Sequence, residues 1–206
     1  MTRMITAALV FCSAAFAGTI SLSAVDGNAY QQTTQSPCIF TNPSCQQPAG
    51  FPSTALPTGG NVSSYDALSP IYSGSTLLGL IGNGNSLLVG LDINQASGQP
   101  PQTLSLFTMI KNGSVVDTFS FAGSGNVPAG NNGNGYADFL LGNFSSFIAT
   151  DTIQFHFVFN DANSGTENLF LIGAPGTQVP EPSSLALIGS GLLLLAVGLF
   201  RQRLSH

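Results

Sequence analysis

The sequence predicts an all-β domain, an antiparallel β-sandwich of the jelly-roll kind, with an N-terminal signal helix and a C-terminal single transmembrane helix. Between the two ends, short apolar runs alternate with clusters of Gly, Asn and Ser, which is typical of an antiparallel sandwich. The run Thr152 to Asn160 alternates apolar and polar residues as a half-buried strand does. No stretch of the central part repeats its apolar residues every 3.6 positions over three turns, so no long helix is expected there.

The composition excludes several classes of partner. Charged residues make up 6% of the 206 residues, against about a quarter in ordinary soluble domains. Between Gly18 and Val179, eight acidic residues accompany a single basic one, Lys111. Such a surface has almost nothing to neutralise phosphates, so nucleic acids and anionic lipid headgroups are not expected partners.

The N-terminus has the pattern of a secretory signal peptide. A basic start precedes the apolar stretch Met4 to Phe16, and small residues stand at Ala15 and Ala17, the positions that signal peptidase reads. We therefore predict a signal peptide at residues 1–17 and a mature N-terminus at Gly18. Leu22-Ser23-Ala24 is a weaker second cleavage site.

The segment 18–64 is predicted to be an N-terminal extension with a disulfide loop and a linker. Cys38 and Cys45 flank the turn former Asn42-Pro43, and outside the cytoplasm such a pair is most simply a disulfide. From Gln46 to Ser64 the chain is rich in Pro, Gly, Ser and Thr and has no apolar period. We expect a loop there.

The segment 65–178 is predicted to hold the sandwich. Its apolar runs are separated by turn-forming residues, as strands are. In chain order the predicted strands are Thr76 to Ile81, Ser86 to Asn94, Thr103 to Lys111, Ser114 to Phe121, Tyr136 to Leu141, Thr152 to Asn160 and Asn168 to Ile172.

Two connections between these strands differ in character. Asn112-Gly113 supplies the two positive-φ residues of a type I′ turn, so a tight hairpin is predicted between Lys111 and Ser114. The glycine-rich segment Gly123 to Gly135 has no Lys and no following helix, which argues against a phosphate-binding loop. We expect a long flexible connection there.

The predicted strand Thr152 to Asn160 has two unlike faces. One carries four large apolar side chains, and the other carries three side chains that include the one histidine between the two end segments. The apolar face holds Ile153, Phe155, Phe157 and Phe159, and the opposite face holds Gln154, His156 and Val158. This pattern predicts a central core strand.

No catalytic, cofactor-binding or metal-binding residues are assigned from the sequence. His156 could join a Ser and an Asp in a nucleophilic triad, but no Gly-x-Ser-x-Gly elbow places a serine beside it. The more ordinary interpretation is a histidine on the polar face of a sheet. A pair of carboxylates suited to glycoside hydrolysis stays open as an alternative.

Calcium is the metal that this composition would suit. The loop from Asp161 through Asn163 and Gly165 to Glu167 alternates oxygen donors around a turn glycine. The loop is shorter than an EF-hand and has no flanking helices, so a polar hairpin loop is the expected structure.

The C-terminal segment 179–206 has three parts. Val179-Pro180-Glu181-Pro182 precedes the uncharged run 183–200, and Arg201 and Arg203 follow it. As a helix that run would be about 27 Å long, enough to cross the bilayer core. The two arginines place the C-terminus in the cytoplasm by the positive-inside rule, with the main domain outside.

This order of motif, span and basic stop resembles the PEP-CTERM sorting signal of exopolysaccharide-producing Gram-negative bacteria. The resemblance covers Val179 to His206 and implies recognition by an exosortase, a membrane-embedded thiol transpeptidase-like enzyme. That enzyme would cut near Pro180-Glu181-Pro182 and release or re-attach the exported domain. The alternative is a plain membrane anchor. Both prolines favour an extended, accessible backbone at the bilayer surface.

The expected protein is an exported, non-catalytic component of the cell envelope or extracellular matrix. Signal peptidase and an exosortase would process it, the tail would hold it in the inner membrane during sorting, and exopolysaccharide or biofilm matrix is its expected associate at the cell surface. A carbohydrate-binding module is one alternative, and its candidate sugar platform is Tyr65, Tyr72 and Tyr136. A secreted hydrolase is the other.

Overall fold

The computed structural model describes residues 17–41, 45–57, 62–82, 84–95, 98–129, 133, 135–162 and 167–175. Residues 1–16 of the predicted signal peptide and the whole C-terminal tail, with the predicted span 183–200, lie outside this part. Within it, no helix combines the length and the apolar character needed to cross a membrane.

The described residues form twelve strands and one helix. In chain order they are β1 (Gly18–Thr19), β2 (Ser21–Ala24), β3 (Cys38–Thr41), β4 (Thr54–Ala55), β5 (Val62–Leu68), β6 (Tyr72–Ser73), α1 (Gly74–Ile81), β7 (Asn85–Asp92), β8 (Thr103–Lys111), β9 (Ser114–Ser120), β10 (Phe139–Gly142), β11 (Thr152–Ala162) and β12 (Asn168–Pro175).

The strands form two six-stranded sheets, which confirms the all-β prediction. The first sheet has the order β1-β9-β8-β11-β5, with β6 also paired to β11, and the second has the order β2-β10-β7-β12-β3-β4. The predicted antiparallel pairing holds for the long strands, but it was wrong for two pairs, because β1 pairs with β9 and β3 pairs with β4 in parallel. Both parallel pairs involve a two-residue edge strand, too short to show its direction in the sequence. The jelly-roll connectivity stays a prediction.

One apolar core joins the inner faces of the two sheets. Ile153, Phe155, Phe157 and Phe159 of β11 are all fully buried, as the alternation predicted. They belong to the same apolar cluster as residues of the second sheet, among them Leu91. Burying such a side chain stabilises the fold by about 1.5–3 kcal/mol, so β11 is the centre of the core.

The predicted strand at Thr76 to Ile81 is wrong, because this segment is helix α1. The Ser73 Oγ accepts a hydrogen bond from the Thr76 N–H at 3.1 Å and caps the helix. Leu77 and Ile81, four residues apart, face the core. Gly82, at φ +83°, ends it. Two turns are too few for a 3.6-residue period to show in the sequence.

The N-terminal segment contributes to both sheets. β1 lies in the first sheet, and β2, β3 and β4 lie in the second. The loop expected from Gln46 to Ser64 contains β4 and the start of β5, so that expectation was wrong in part. Cys38 and Cys45 are joined by a disulfide, with their Cα atoms 6.4 Å apart.

The two predicted connections have different outcomes. Asn112 (φ 52°) and Gly113 (φ 79°) form the tight turn of the β8–β9 hairpin, which confirms that prediction. The expected flexible connection after β9 is partly fixed. The Asn126 side chain accepts from Leu104 N and donates to Leu104 O, both at 2.9 Å, and Val127 pairs with Gln102.

Candidate functional site

The outer face of the first sheet carries side chains that range from buried to exposed. Cross-strand partners point to the same side of a sheet, so the register groups side chains from four strands. We call the following set the outer face: Asp66, Leu68, Leu106, Thr108, Ile110, Thr118, Gln154, His156, Val158 and Asn160. It contains aliphatic, hydroxyl and amide groups, one imidazole and one carboxylate.

Hydrogen bonds hold the polar side chains of β11 in place on this face. His156 Nε2 lies 2.7 Å from Asp66 Oδ1. Gln154 Nε2 donates to the Ser69 carbonyl at 2.8 Å, and Asn160 Nδ2 donates to Ser105 Oγ at 2.6 Å. The face is therefore a pre-ordered row of uncharged groups with one histidine–aspartate pair.

The geometry around His156 does not form a nucleophilic triad. The hydroxyl residue opposite it on β8 is Thr108. The buried Thr108 Oγ1 has no hydrogen-bond partner in the described part of the chain, so it is not bonded to the imidazole. Since a triad needs its nucleophile and base within hydrogen-bond reach, the polar-face interpretation of His156 describes this position better.

Glu167, at the end of the loop that was weighed as a calcium site, is fully buried. Its Oε2 accepts from Asn94 N at 2.5 Å, and its Oε1 accepts from Gln102 Nε2 at 2.9 Å. Burial raises the pKa of Glu167 to about 7. The two hydrogen bonds lower this pKa, and the nearby Asp92 and Asp138 carboxylates raise it.

Asp92 and Asp138 are buried in similar surroundings. Asp92 Oδ2 accepts from Gly135 N at 2.9 Å and from Asn168 Nδ2 at 3.5 Å, and burial raises the pKa of Asp92 to about 6. Asp138 Oδ2 accepts from Ile93 N at 2.7 Å. Asp92, Asp138 and Glu167 thus each accept a hydrogen bond from a backbone N–H group in the segments after β7 and before β10.

A raised carboxyl pKa, as at Asp92 and Glu167, often marks a catalytic acid, but these two acids and the neighbouring Asp138 are poorly placed for that role. Their exposed fractions are 3% for Asp92, 6% for Asp138 and 0% for Glu167. A substrate could not reach them without opening the fold. The sequence signal that could have found them is an acid next to apolar residues at a strand end, as in Leu91-Asp92-Ile93.

The loop that was weighed as a calcium site, and expected to be a polar hairpin loop, has both of its end residues bound within the fold. Asp161 Oδ2 accepts from Thr103 Oγ1 at 3.2 Å, and Glu167 is buried as described above. Residues 163–166 lie outside the described part. Among the residues that the structure does describe, no group of three or more His, Cys, Asp or Glu side chains is arranged to hold a metal ion.

The tyrosine platform of the carbohydrate-binding alternative is contradicted. Tyr65 and Tyr72 are each only 3% exposed and belong to the core, and Tyr136 is half-buried. The Tyr72 hydroxyl donates to the Pro52 carbonyl at 3.0 Å. Sugar platforms need aromatic faces open to solvent, so these three side chains do not form one.

The residues predicted for processing lie mostly beyond the described part. Ala17 is described, is exposed and directly precedes β1. Ala15 lies outside, as do all residues of the predicted sorting signal: Val179, Pro180, Glu181, Pro182, Arg201 and Arg203. Their roles stay predictions at the level of the individual residue.

Comparison with known proteins identifies the tail. A family model for the PEP-CTERM protein-sorting motif matches residues 178–203. No curated protein and no solved structure matches the chain. The motif implies export, sorting at the membrane and processing by an exosortase. The chain therefore carries a PEP-CTERM sorting motif and is an exported exosortase substrate.

Proposed function

We propose that this protein is a non-catalytic component of the cell surface or extracellular matrix that associates with exopolysaccharide. The observation that carries the proposal is the PEP-CTERM motif at residues 178–203, on a chain whose described domain is a two-sheet β-sandwich. The one carboxylate on the outer face of this sandwich, Asp66, is paired with His156. The route to the surface is signal peptidase cleavage after Ala17, anchoring by a helix at 183–200 and exosortase cleavage near Pro180 to Pro182.

The chemistry of the outer face suits a neutral or weakly charged polymer. Sugars present hydroxyl groups and apolar C–H faces, and the outer face offers both kinds of complement. Leu68 is 51% exposed beside His156, and the amides of Gln154 and Asn160 are already ordered by hydrogen bonds. Ordered side chains lose little conformational entropy on binding, which favours weak, repeated contacts along a polymer.

The hydrogen bonds that the acidic side chains make within the fold support a non-catalytic role. The buried Asp92, Asp138 and Glu167 are bonded to backbone N–H groups, and Asp66 is paired with His156. These carboxylates stabilise loops and the sheet surface. The hydrolase alternative would need two of them to converge on an accessible cleft.

Co-sedimentation with the exopolysaccharide fraction of the producing cells tests this function. We expect the full-length protein from those cells to sediment with the polymer, and the double variant Gln154→Glu, Asn160→Asp to bind several-fold less. The matched control is Gln35→Glu, Gln99→Glu, which adds the same charge at exposed positions away from the outer face.

Equal binding by both double variants would exclude the outer face as the binding surface. No binding by the wild-type protein, together with unchanged matrix composition and cell aggregation after deletion of the gene, would contradict the proposed association.

A further inference from the structure

The first residue of the described sheets lies against a buried carboxylate. β1 pairs in parallel with β9, and Gly18 is the register partner of Asp117. A Cβ on Gly18 would overlap Asp117 Oδ1 at less than 3.0 Å, so a larger residue here would force the Asp117 side chain to shift. A nitrogen and a Cβ on one Cα are about 2.5 Å apart, which places the Gly18 nitrogen within about 5 Å of that oxygen.

Asp117 is fully buried, and the groups that donate hydrogen bonds to it among the described residues are neutral. Its Oδ2 accepts from Ser145 N at 2.8 Å, and its Oδ1 accepts from Ser145 Oγ at 2.6 Å. Lys111, the one Lys or Arg in the described part, donates instead to the Ser146 carbonyl at 3.0 Å. A buried carboxylate without a cation is costly to the fold.

We propose that export supplies the missing cation. Hydrolysis of the Ala17–Gly18 peptide bond by signal peptidase leaves a carboxylate on Ala17 and an α-ammonium on Gly18, with water as the co-reactant. The new ammonium forms an ion pair with Asp117 at the edge of the first sheet. An ammonium has three N–H donors, so one of them can donate to the carboxylate while the others remain available to other acceptors. This inference rests on the export of the chain.

The same geometry distinguishes the two predicted cleavage sites. Cleavage after Ala24 would remove β1 and β2, including the four pairs that β2 makes with β10. It would also remove Ile20, which is 1% exposed in the core. Cleavage after Ala17 removes no part of either sheet. The ion pair then exists only in the processed protein, and the precursor has the Asp117 carboxylate without it.

Three forms of the full-length exported protein test the ion pair. They are the wild type, Asp117→Asn, and a variant with one alanine inserted after Ala17. Signal peptidase needs small residues at the first and third positions before the cut. In the insertion variant, a cut after the new alanine would put Phe16 at the third position, so cleavage there is not expected. We therefore expect its mature chain to begin with the new alanine, which moves the ammonium away from Asp117. Peptide mapping after acetylation with an N-hydroxysuccinimide ester reads the N-terminal amine, with Lys111 Nζ as the internal reference.

We expect a wild-type N-terminus at Gly18 whose amine is acetylated at least about ten-fold more slowly than that of the insertion variant. Asp117→Asn should remove this protection. If Asp117→Asn does not fold, the insertion variant still gives the comparison, because its Asp117 is intact. A Gly18 amine that reacts as fast as the inserted alanine, or an N-terminus at another residue, would overturn the inference. Exosortase processing is read at the other end of the chain, so the two results are separable.

Discussion

Burial changes the pKa of single acidic residues in this protein, and this makes its stability depend on pH. Glu167 is the clearest case, since burial raises its pKa to about 7 from an ordinary value of 4.5. The native state therefore holds a proton on Glu167 that the unfolded chain has already released between these pH values. The contribution of Glu167 to stability is complete below about pH 4.5 and is lost as the pH rises through about 7.

The variant Glu167→Gln should weaken the pH dependence of the free energy of unfolding. The wild-type protein should lose on the order of 1–3 kcal/mol between pH 4.5 and 7.5 from this group, since each pKa unit corresponds to about 1.4 kcal/mol. In the variant, the amide of Gln102 can turn so that its buried Oε1, which has no partner, accepts from the new amide. Urea titrations of the full-length protein at both pH values measure this effect.

The exposed variant Gln35→Asn is the control for the urea titrations and should keep the wild-type pH dependence. A wild-type slope preserved in Glu167→Gln would show that Glu167 is not the titrating group.

At the scale of elements, long strands were predictable and short ones were not. Thr103–Lys111 was predicted with its observed limits, and β11 showed its buried face in its alternation. β1 and β4 have two residues each, so their strand structure comes from the partner strand and not from their own pattern. The contiguous apolar residues from Thr76 to Ile81 predict a strand, but the N-cap at Ser73 stabilises a helix there instead.

Helix α1 gives a pair of predictions with opposite signs. Ser73→Ala removes the N-cap acceptor and should lower the free energy of unfolding by about 1 kcal/mol. Gly79→Ala adds a methyl group where no atom lies within 4 Å and should raise it by about 0.5–1 kcal/mol. Thermal unfolding followed by near-ultraviolet circular dichroism, which reports on the buried Tyr65 and Tyr72, measures both.

A third variant, Gly173→Ala, checks the packing of the helix end. Its Cβ would collide with the Ile81 carbonyl oxygen, so it should be more destabilising than Ser73→Ala. A neutral effect of Gly173→Ala would contradict the close approach of β12 to α1.

In the molecule as a whole, the sorting signal can be predicted from the sequence, whereas the long-range contacts are visible only in the structure. The order of Pro-Glu-Pro, apolar run and arginines was visible in the sequence because sorting signals are linear. The pairing of Asp66 with His156 and the buried acids were not visible, since their partners are up to 90 residues apart in the chain. Contacts of this range depend on the strand order, which the pattern of apolar runs does not specify.

The tail should determine where the protein is found. Replacing Pro180, Glu181 and Pro182 together by alanine should leave the tail uncut and keep the protein in the membrane fraction. Ser183→Ala, Ser184→Ala is the neighbouring control and should be processed normally. Immunoblots of membrane and extracellular fractions measure the distribution, and release of the triple variant at the wild-type level would show that the motif is not needed for sorting.

The position of the mature C-terminus decides between sorting by an exosortase and simple anchoring in the membrane. We would determine it by intact mass and peptide mapping of the protein recovered from cells and from the medium. Sorting by an exosortase predicts a chain that ends near Pro180 or Pro182, either free or with a covalent adduct. An intact tail through His206 on all of the protein, retained in the membrane fraction, would contradict the account and leave a simple anchored surface protein.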